Sequence, residues 1–299
     1  MKKQYWLINP RSGGREGARI AEVLRDQVTV VTLDFSRLHE QIAGAADHDH
    51  IVVAGGDGTV ASVLTSPALP DRPVALVSLG TANDLAREIG TFRLFHGKRW
   101  EELPTIIRDL PEQRLSTWEA EFDGERRTFC NYISLGFEGA VVSDFDRWRS
   151  NSSVYNRLLN RLMYLVFGMR HLGARIEGAQ IARDSGEVQA VSPTRGIIIS
   201  NIKSHMGCGF TTLESDCSDS FIECVRVSSP LDYLRMLACP FGFLPSLGSM
   251  HRGSCIELSN LPRPTALQID GEPSVPIEGG QLRVTCGRIV RVLGAVSCA

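Results

Sequence analysis

The chain has 299 residues, 43 % of them hydrophobic and 22 % charged, an ordinary globular composition with material for one large domain or two of usual size. Its formal net charge of -2 lacks the basic excess of a general nucleic-acid binder. MKKQYWLINP has no apolar run long enough for a secretion signal, and the longest apolar stretch, residues 162–169, is far short of the roughly 20 residues that cross a bilayer.

Residues 5–8 predict a short apolar strand, NPRSGG a turn, and 16–27 a helix with Ile20, Val23 and Leu24 on one face. Residues 28–33 form a β-branched run and a second strand, 37–46 a helix, and 51–54 a third strand. A helix opens at Thr59 and stops near Pro67. A fourth strand covers 74–79, and a helix over 82–88 ends near Gly90. Strand–helix alternation over short connections predicts a parallel sheet covered on both faces. From about Trp118 the pattern changes to short runs (WEAEF, RTFCNYISLGF, RGIIISN, FIECVRV, CIELSN, ALQID, LRVTC) between Gly, Pro, Asp and Ser. These predict an antiparallel sandwich or barrel, interrupted by one helix over 154–172. The expected division is an α/β domain over 1–117 and an all-β domain over 118–288, with the strand in 289–299 free to return to the first. Eight cysteines without a C-x-x-C pair read as reduced thiols rather than a zinc site, and a cytoplasmic protein is expected.

IVVAGGDGT, residues 51–59, runs four apolar residues into three glycines around one carboxylate. In a parallel sheet, ligands bind outside the carboxyl ends of the strands. Gly55, Gly56 and Gly58 lie at such an end, before a helix that Thr59 would cap. Glycines leave backbone amides unobstructed, and successive amides with a helix N-terminus make a phosphate site. An Asp among these donors repels a bare phosphate, so Asp57 calls for a metal ion, a water network, or a sugar or backbone contact. From GGDGT alone, a tight turn with no ligand reads as well. Two more polar turns with glycine, INPRSGG and Gly80-Thr81-Ala82-Asn83-Asp84, end neighbouring strands, and all three converge on one sheet edge.

INPRSGG, GGDGT and GTANDLAR, in this order, resemble the catalytic domain of the diacylglycerol kinase family, which includes sphingosine kinases and bacterial lipid kinases and is more distantly related to NAD kinases. FCNYISLGFEG, GIIISN, the loop ESDCSDSF and LQIDGEP extend the likeness over nearly the whole chain. The resemblance implies a Rossmann-like α/β nucleotide-binding domain followed by an antiparallel β-sandwich, with the active site in the cleft between. It implies ATP- and Mg2+-dependent transfer of the γ-phosphate to the hydroxyl of a diacylglycerol-like lipid. Gly55, Gly56, Asp57, Gly58, Thr59, Val60 and Ala61 then line the phosphate site, with Asp57 organising phosphate and Mg2+. Asn9, Pro10, Arg11, Ser12, Gly13 and Thr81 match further nucleotide-contacting positions, and so does Thr32, whose alignment no motif fixes. Asp84 either joins Asp57 in a Mg2+–water network or caps its own helix. Glu272 matches the proton acceptor, which holds the substrate hydroxyl in line and takes its proton late in transfer. Asp270 shares that motif, although IDGEP alone reads as a hairpin tip.

Several features depart from the family pattern or from better-known kinases. There is no G-x-x-x-x-G-K-[ST] and no V-A-I-K lysine with H-R-D, so charge compensation falls to amides, Mg2+ and Arg11 or Arg15, unless those are solvated turn residues. Glu119 stands where relatives commonly have Asp. The resemblance also implies a structural metal loop, with Asp219 coordinating through its side chain and Asp216 and Phe221 through backbone carbonyls. Ser220 replaces the usual Gly there, a change that a positive φ would penalise. His48 and His50 read as a solvated turn. Residues 156–175 place Leu158, Leu162, Leu165, Val166 and Met169 at helical spacing near Arg157, Arg161, Arg170 and Arg175. Such a helix rests on an anionic bilayer or packs on the core. CPFGFLPSLG, 239–248, reads as an apolar rim for an acyl chain or as a plain loop. The expected partners are ATP and a lipid substrate at a membrane surface, without nucleic acid, the protein being cytoplasmic and peripheral; a homodimer stays open. Two rivals stand beside this reading: a kinase for a soluble alcohol such as NAD, and an inactive nucleotide- or lipid-binding module.

Overall fold

The computed structural model describes residues 2–295 apart from 81, 152–156, 172, 183–185, 192 and 208. Four parallel strands, β1 (Gln4–Ile8), β2 (Thr29–Thr32), β3 (His50–Gly55) and β4 (Val74–Ser78), lie in the order β2-β1-β3-β4. Among them run the helices α1 (Ser12–Leu24), α2 (Leu38–Ala43) and α3 (Asp57–Leu64). Alternation divides the strands between two cores. Trp6, Ile8, Val52, Ala54, Ala75 and Val77 share one with Ile20 and Leu24 of α1. Leu7, Ile51, Val53, Val74 and Leu76 share the other with Val60, Val63 and Leu64 of α3. A strand buried on both faces must be apolar at nearly every position, which is why these runs stood out. Ile8 is level with both Thr32 and Ala54, and Gly55 with Ser78, so the carboxyl ends of all four strands form one edge.

The histidines of DHDHI are not a solvated pair. His48 is half-buried beside Thr29, at 3.1 Å between Nε2 and Oγ1, while His50 opens β3 and is buried, so that desolvation lowers its pKa.

After the helices α4 (Asp84–Glu88), α5 (Thr91–Phe95) and α6 (Leu103–Arg108), the strand β5 (Glu112–Phe122) pairs antiparallel with the long strand Leu282–Leu293. The end of that long strand turns to β4, pairing Val292 and Leu293 in parallel with Val74 and Ala75. One ten-stranded sheet therefore runs from the parallel edge into the antiparallel half. A second sheet of six antiparallel strands follows the order Ser249–Gly253, Ile222–Val227, Gly196–Ser200, Tyr132–Gly136, Leu267–Ile269, Glu272–Pro273. Trp118, Phe129, Ile133, Leu135, Ile197, Ile199 and Val284 form the core shared by the two sheets. The chain thus forms the expected α/β unit with a parallel sheet, followed by an antiparallel β-sandwich.

Asn201 ties the layers together. Its Oδ1 accepts from Trp118 Nε1 at 2.8 Å, and its Nδ2 donates to the carbonyls of Ser116 and Cys130 at 3.0 and 2.7 Å. Three further helices lie among the described residues: α7 (Phe137–Ser150), α8 (Arg157–Arg170) and α9 (Pro230–Ala238). The first and last were not expected from the sequence.

Candidate functional site

The edge formed by the parallel strands is built largely of backbone. Asn9 leaves β1 with its N–H donating to Ala54 O at 2.9 Å and its Nδ2 to Thr59 Oγ1 at 2.8 Å, while its Oδ1 accepts from Arg11 N at 3.0 Å. Thr59 therefore serves Asn9 and does not cap α3, which begins two residues earlier with Gly56 at its N-cap. Gly13, Gly14 and Arg15 take φ values of 63, 68 and 79° in succession, so that regular helix starts only at Glu16. Asn83 closes the next turn with both ends of its amide, accepting from Gly80 N at 2.9 Å and donating to Gly80 O at 2.8 Å. The two turns meet backbone to backbone: a Cβ on Gly80 would lie 2.8 Å from Gly56 Cα.

Asp57 sits where these turns join. Its Oδ2 accepts from Asn83 N at 2.6 Å. Burial, and then the neighbouring Asp84, push its pKa up to about 7, with Asp270 adding to the rise and the Asn83 N–H opposing it. Asp84 does not cap its own helix. Its Oδ1 accepts from Ser204 Oγ at 2.6 Å and Gly207 N at 2.7 Å, and its Oδ2 from Tyr132 OH at 3.5 Å, so the buried carboxylate docks the sandwich onto the α/β unit.

The facing wall comes from the hairpin at residues 269–272. Asp270 and Gly271 both have left-handed backbone, at φ 50 and 83°, as a two-residue Asp-Gly tip requires. The Asp270 carboxylate is buried and accepts three consecutive N–H groups, from Cys130 at 3.0 Å, Asn131 at 2.8 Å and Tyr132 at 3.2 Å. Two residues on, Glu272 opens to the cleft. A Cβ on Gly58 would lie only 3.4 Å from its Oε1, so the carboxylate faces the GGDGT turn directly. Partial desolvation raises the Glu272 pKa, Arg149 of α7 pulls it back, and Asp146 of α7 adds to the rise.

Two family models match the chain: the diacylglycerol kinase catalytic domain over residues 3–111 and the diacylglycerol kinase accessory domain over residues 128–273. The chain belongs to the diacylglycerol kinase family. Diacylglycerol kinase 2 of Arabidopsis thaliana is 26 % identical over 327 aligned residues, covering 93 % of this chain and 44 % of that protein. Diacylglycerol kinase zeta of Rattus norvegicus is 30 % identical over 195 residues, 55 % of this chain and 21 % of that protein. The chain thus spans less than half the length of these relatives. Among solved structures, a diacylglycerol kinase from Bacillus anthracis superposes with a TM-score of 0.70 at 16 % identity, covering 100 % of this chain and 98 % of its own. Yeast NADH kinase complexed with NADH gives 0.52 at 12 % identity, covering 99 and 84 %. At these identities the structural likeness is one of fold.

The remaining expected positions of a diacylglycerol kinase family site fall as follows. Pro10, Arg11, Ser12 and Gly13 follow β1 along the edge, with Arg11 and Arg15 exposed, and Val60 and Ala61 belong to α3. Thr32 ends β2 level with Ile8, and its carbonyl accepts from Gln41 Nε2 at 3.0 Å. Thr81 lies outside the described residues. Glu119 pairs with Arg126 at 3.4 Å, whereas the carboxylates acting on Asp57 are Asp84 and Asp270.

The anticipated structural metal loop does not fit a metal. The Asp219 carboxylate accepts from Phe221 N at 2.8 Å through Oδ1 and from Arg252 Nη2 at 2.5 Å through Oδ2. Its carbonyl accepts from Ser116 Oγ, and the Asp216 carbonyl from Asp219 N at 3.3 Å. The Asp216 side chain closes on its own loop through Ser218 N and Oγ, at 2.9 and 2.7 Å. A cation entering here would meet a guanidinium already in place. Ser220 is not left-handed, so the anticipated backbone penalty does not arise.

One buried pair went unread in the sequence. His205 Nε2 and Glu138 Oε1 lie 2.7 Å apart, both almost fully buried, and the His205 ring packs on Tyr132 at 4.5 Å. Burial alone would neutralise both groups, but each partner outweighs it, raising the His205 pKa and lowering that of Glu138. A Glu in FEG that follows a buried strand without a turn was the available signal.

Proposed function

We propose that this chain is the catalytic unit of an ATP- and Mg2+-dependent lipid kinase, transferring the γ-phosphate to the hydroxyl of a diacylglycerol-like lipid. The observation that carries the reading is the approach of Glu272 to Gly58: an acidic side chain from the sandwich faces a glycine turn at the α/β edge. The amides of the three turns and the N-terminus of α3 would hold the triphosphate without a P-loop lysine. Glu272 orients the substrate hydroxyl. As its oxygen bonds to the γ-phosphorus and the bond to the ADP oxygen breaks, the proton passes to Glu272, because an alcohol is too weak an acid to ionise first.

Asp57 fits a cation. It is half-buried at the turn, and the charges of Asp84 and Asp270 crowd it and raise its pKa. Among the described residues no group of three or more His, Cys, Asp or Glu is arranged to chelate a metal directly, so Asp57 and Asp84 would hold Mg2+ through water. When bound, that ion supplies charge neutralisation on the phosphoryl oxygens.

A lipid acceptor is supported by the surface beside this wall. Leu162, Leu165, Val166 and Met169 of α8 are exposed instead of packing on the core, and so are Leu231 and Leu234 of α9 and the following Phe241 and Phe243. Phe137 of α7, the helix that carries Asp146 and Arg149 beside Glu272, links the two patches: its ring lies 4.9 Å from that of Tyr233 in α9, and a Cβ on Gly168 of α8 would meet it at 3.8 Å. Exposed leucines and phenylalanines flanking a cleft suit a protein peripheral to a bilayer. No helix among the described residues is long and apolar enough to cross a membrane.

The test is to incubate pure protein with labelled ATP and a total lipid extract, with NAD in a parallel reaction, and to identify the labelled product. Label in a phosphorylated lipid supports the proposal. Label in the dinucleotide replaces it with a soluble-alcohol kinase, and bound nucleotide without transfer reduces the chain to a binding module.

A further inference from the structure

We propose that Arg252 takes the place of a divalent cation in the loop over residues 216–223, so that this loop is held by a guanidinium and is built without a metal. Three contacts point to it. Arg252 Nη2 reaches Asp219 Oδ2 at 2.5 Å, its Nε reaches Glu223 Oε1 at 2.8 Å, and its guanidinium lies 4.8 Å from the centre of the Phe221 ring. The planar fork thus bridges two carboxylates and stacks on the residue whose carbonyl a metal would use.

The arrangement is fixed by the sheet. Arg252 and Glu223 are direct partners across the antiparallel pair of Ser249–Gly253 and Ile222–Val227. The Glu223 side chain is completely buried, and its desolvation, which raises its pKa, is opposed by hydrogen bonds from Ser215 and Arg252 and by the charge of Arg252. Because Asp219 precedes that strand by three residues, the same arginine reaches both acids. The loop is also fastened to β5, where Ser116 N donates to Cys217 O at 2.8 Å and Ser116 Oγ to Asp219 O. Arg252 therefore secures a joint between the two sheets, the office a coordinated ion would fill by gathering the Asp219 carboxylate and nearby carbonyls. A fixed side chain holds this joint at any divalent-ion concentration.

Thermal unfolding without nucleotide or lipid tests the proposal independently of the catalytic reading. Wild-type protein passed through gel filtration in chelator is expected to hold no divalent metal that depends on Asp219 and to keep its Tm. Arg252→Met should lower Tm by on the order of 5 °C, because it leaves the buried Glu223 carboxylate without its cation, and millimolar Ca2+ or Mg2+ should restore part of the loss through the freed carboxylates. Arg252→Lys, which keeps the charge but not the fork, should fall between. Wild-type protein that retains stoichiometric Ca2+ or Mg2+, lost on Asp219→Asn, would put a metal in the loop and overturn the proposal. So would an Arg252→Met protein that is as stable as wild type, or one that is destabilised yet indifferent to both ions beyond the wild-type response. If Arg252→Met does not fold, the metal content of wild type and Asp219→Asn decides.

Discussion

Two acidic regions of this molecule meet their charge differently. At the cleft, Asp57 lies half-buried beside Asp84 and Asp270 and accepts from the Asn83 N–H, and its pKa is pushed up to about 7. At the loop over 216–223, Asp219 and Glu223 are gripped by a guanidinium from the neighbouring strand. The family resemblance led us to expect a cation at both. The protein supplies its own positive charge at one, whereas at the other a neighbouring carboxylate raises the Asp57 pKa, and on this contrast we propose a ligand cation at the cleft and a metal-free joint at the loop.

The strongest way to break this contrast is Asp57→Asn. Phosphoryl transfer should fall by roughly 10²–10³-fold, the effect of removing a group that organises transition-state charge, while stability at pH 8 should hold or rise. The folded-state pKa of Asp57 lies above its ordinary value of 3.8, so its ionisation weakens the fold progressively as pH climbs from about 4 through about 7. The stabilising effect of the substitution should therefore appear only over and above that window, in thermal melts taken as a pH series. Retained activity with lost stability would make Asp57 a structural group like Asp219.

His205 and Glu138 offer a third case, a buried carboxylate compensated from within. The raised His205 pKa gives stability that is complete below the ordinary value of 6.5 and is lost as pH rises through the folded value. The lowered Glu138 pKa gives stability that is complete above the ordinary 4.5 and is lost as pH falls through its own folded value. Glu138→Gln should therefore cost about 3 kcal/mol between pH 4.5 and 6.5, with the gap to wild type narrowing above that window. A gap independent of pH would show that the pair is not ionised in the fold.

The smallest expected effect concerns the backbone edge. Gly80→Ala would set a Cβ 2.8 Å from Gly56 Cα, forcing the two turns apart at a cost of about 1–2 kcal/mol. ATP-analogue affinity, measured by calorimetry, should drop about tenfold if amides of both turns grip the phosphates. Unchanged affinity would remove the GTAND turn from the nucleotide site.

The parallel half was legible because strands buried on both faces need unbroken apolar runs, and because three polar turns with glycine end neighbouring strands and converge on one edge. Helix α7 was missed because it begins directly after a strand: Gly136, at φ 81°, turns the chain with no polar loop to announce a new element. Helix α9 carried a readable signal, the capping box of Ser229 and Asp232 with Pro230 between. Asp270 read as a hairpin tip, and nothing local reveals that it binds N–H groups some 140 positions earlier in the chain. Arg252 was invisible for the same reason. Its meaning lies in a cross-strand register with Glu223, and no motif in the loop itself records that.

The most direct test of the account compares Glu272→Gln with wild type in nucleotide binding and in single-turnover transfer to a micellar diacylglycerol. Because Glu272 faces Gly58 across the cleft and its pKa is raised by partial desolvation, we expect ATP affinity to stay within about threefold while the transfer rate falls by roughly 10²–10⁴-fold. The wild-type rate should also decline in acid at a pH above the ordinary 4.5 of a glutamate. A Glu272→Gln protein that transfers phosphate at the wild-type rate would contradict the central claim that this carboxylate, brought from the sandwich to the glycine turn, accepts the proton of the reacting hydroxyl.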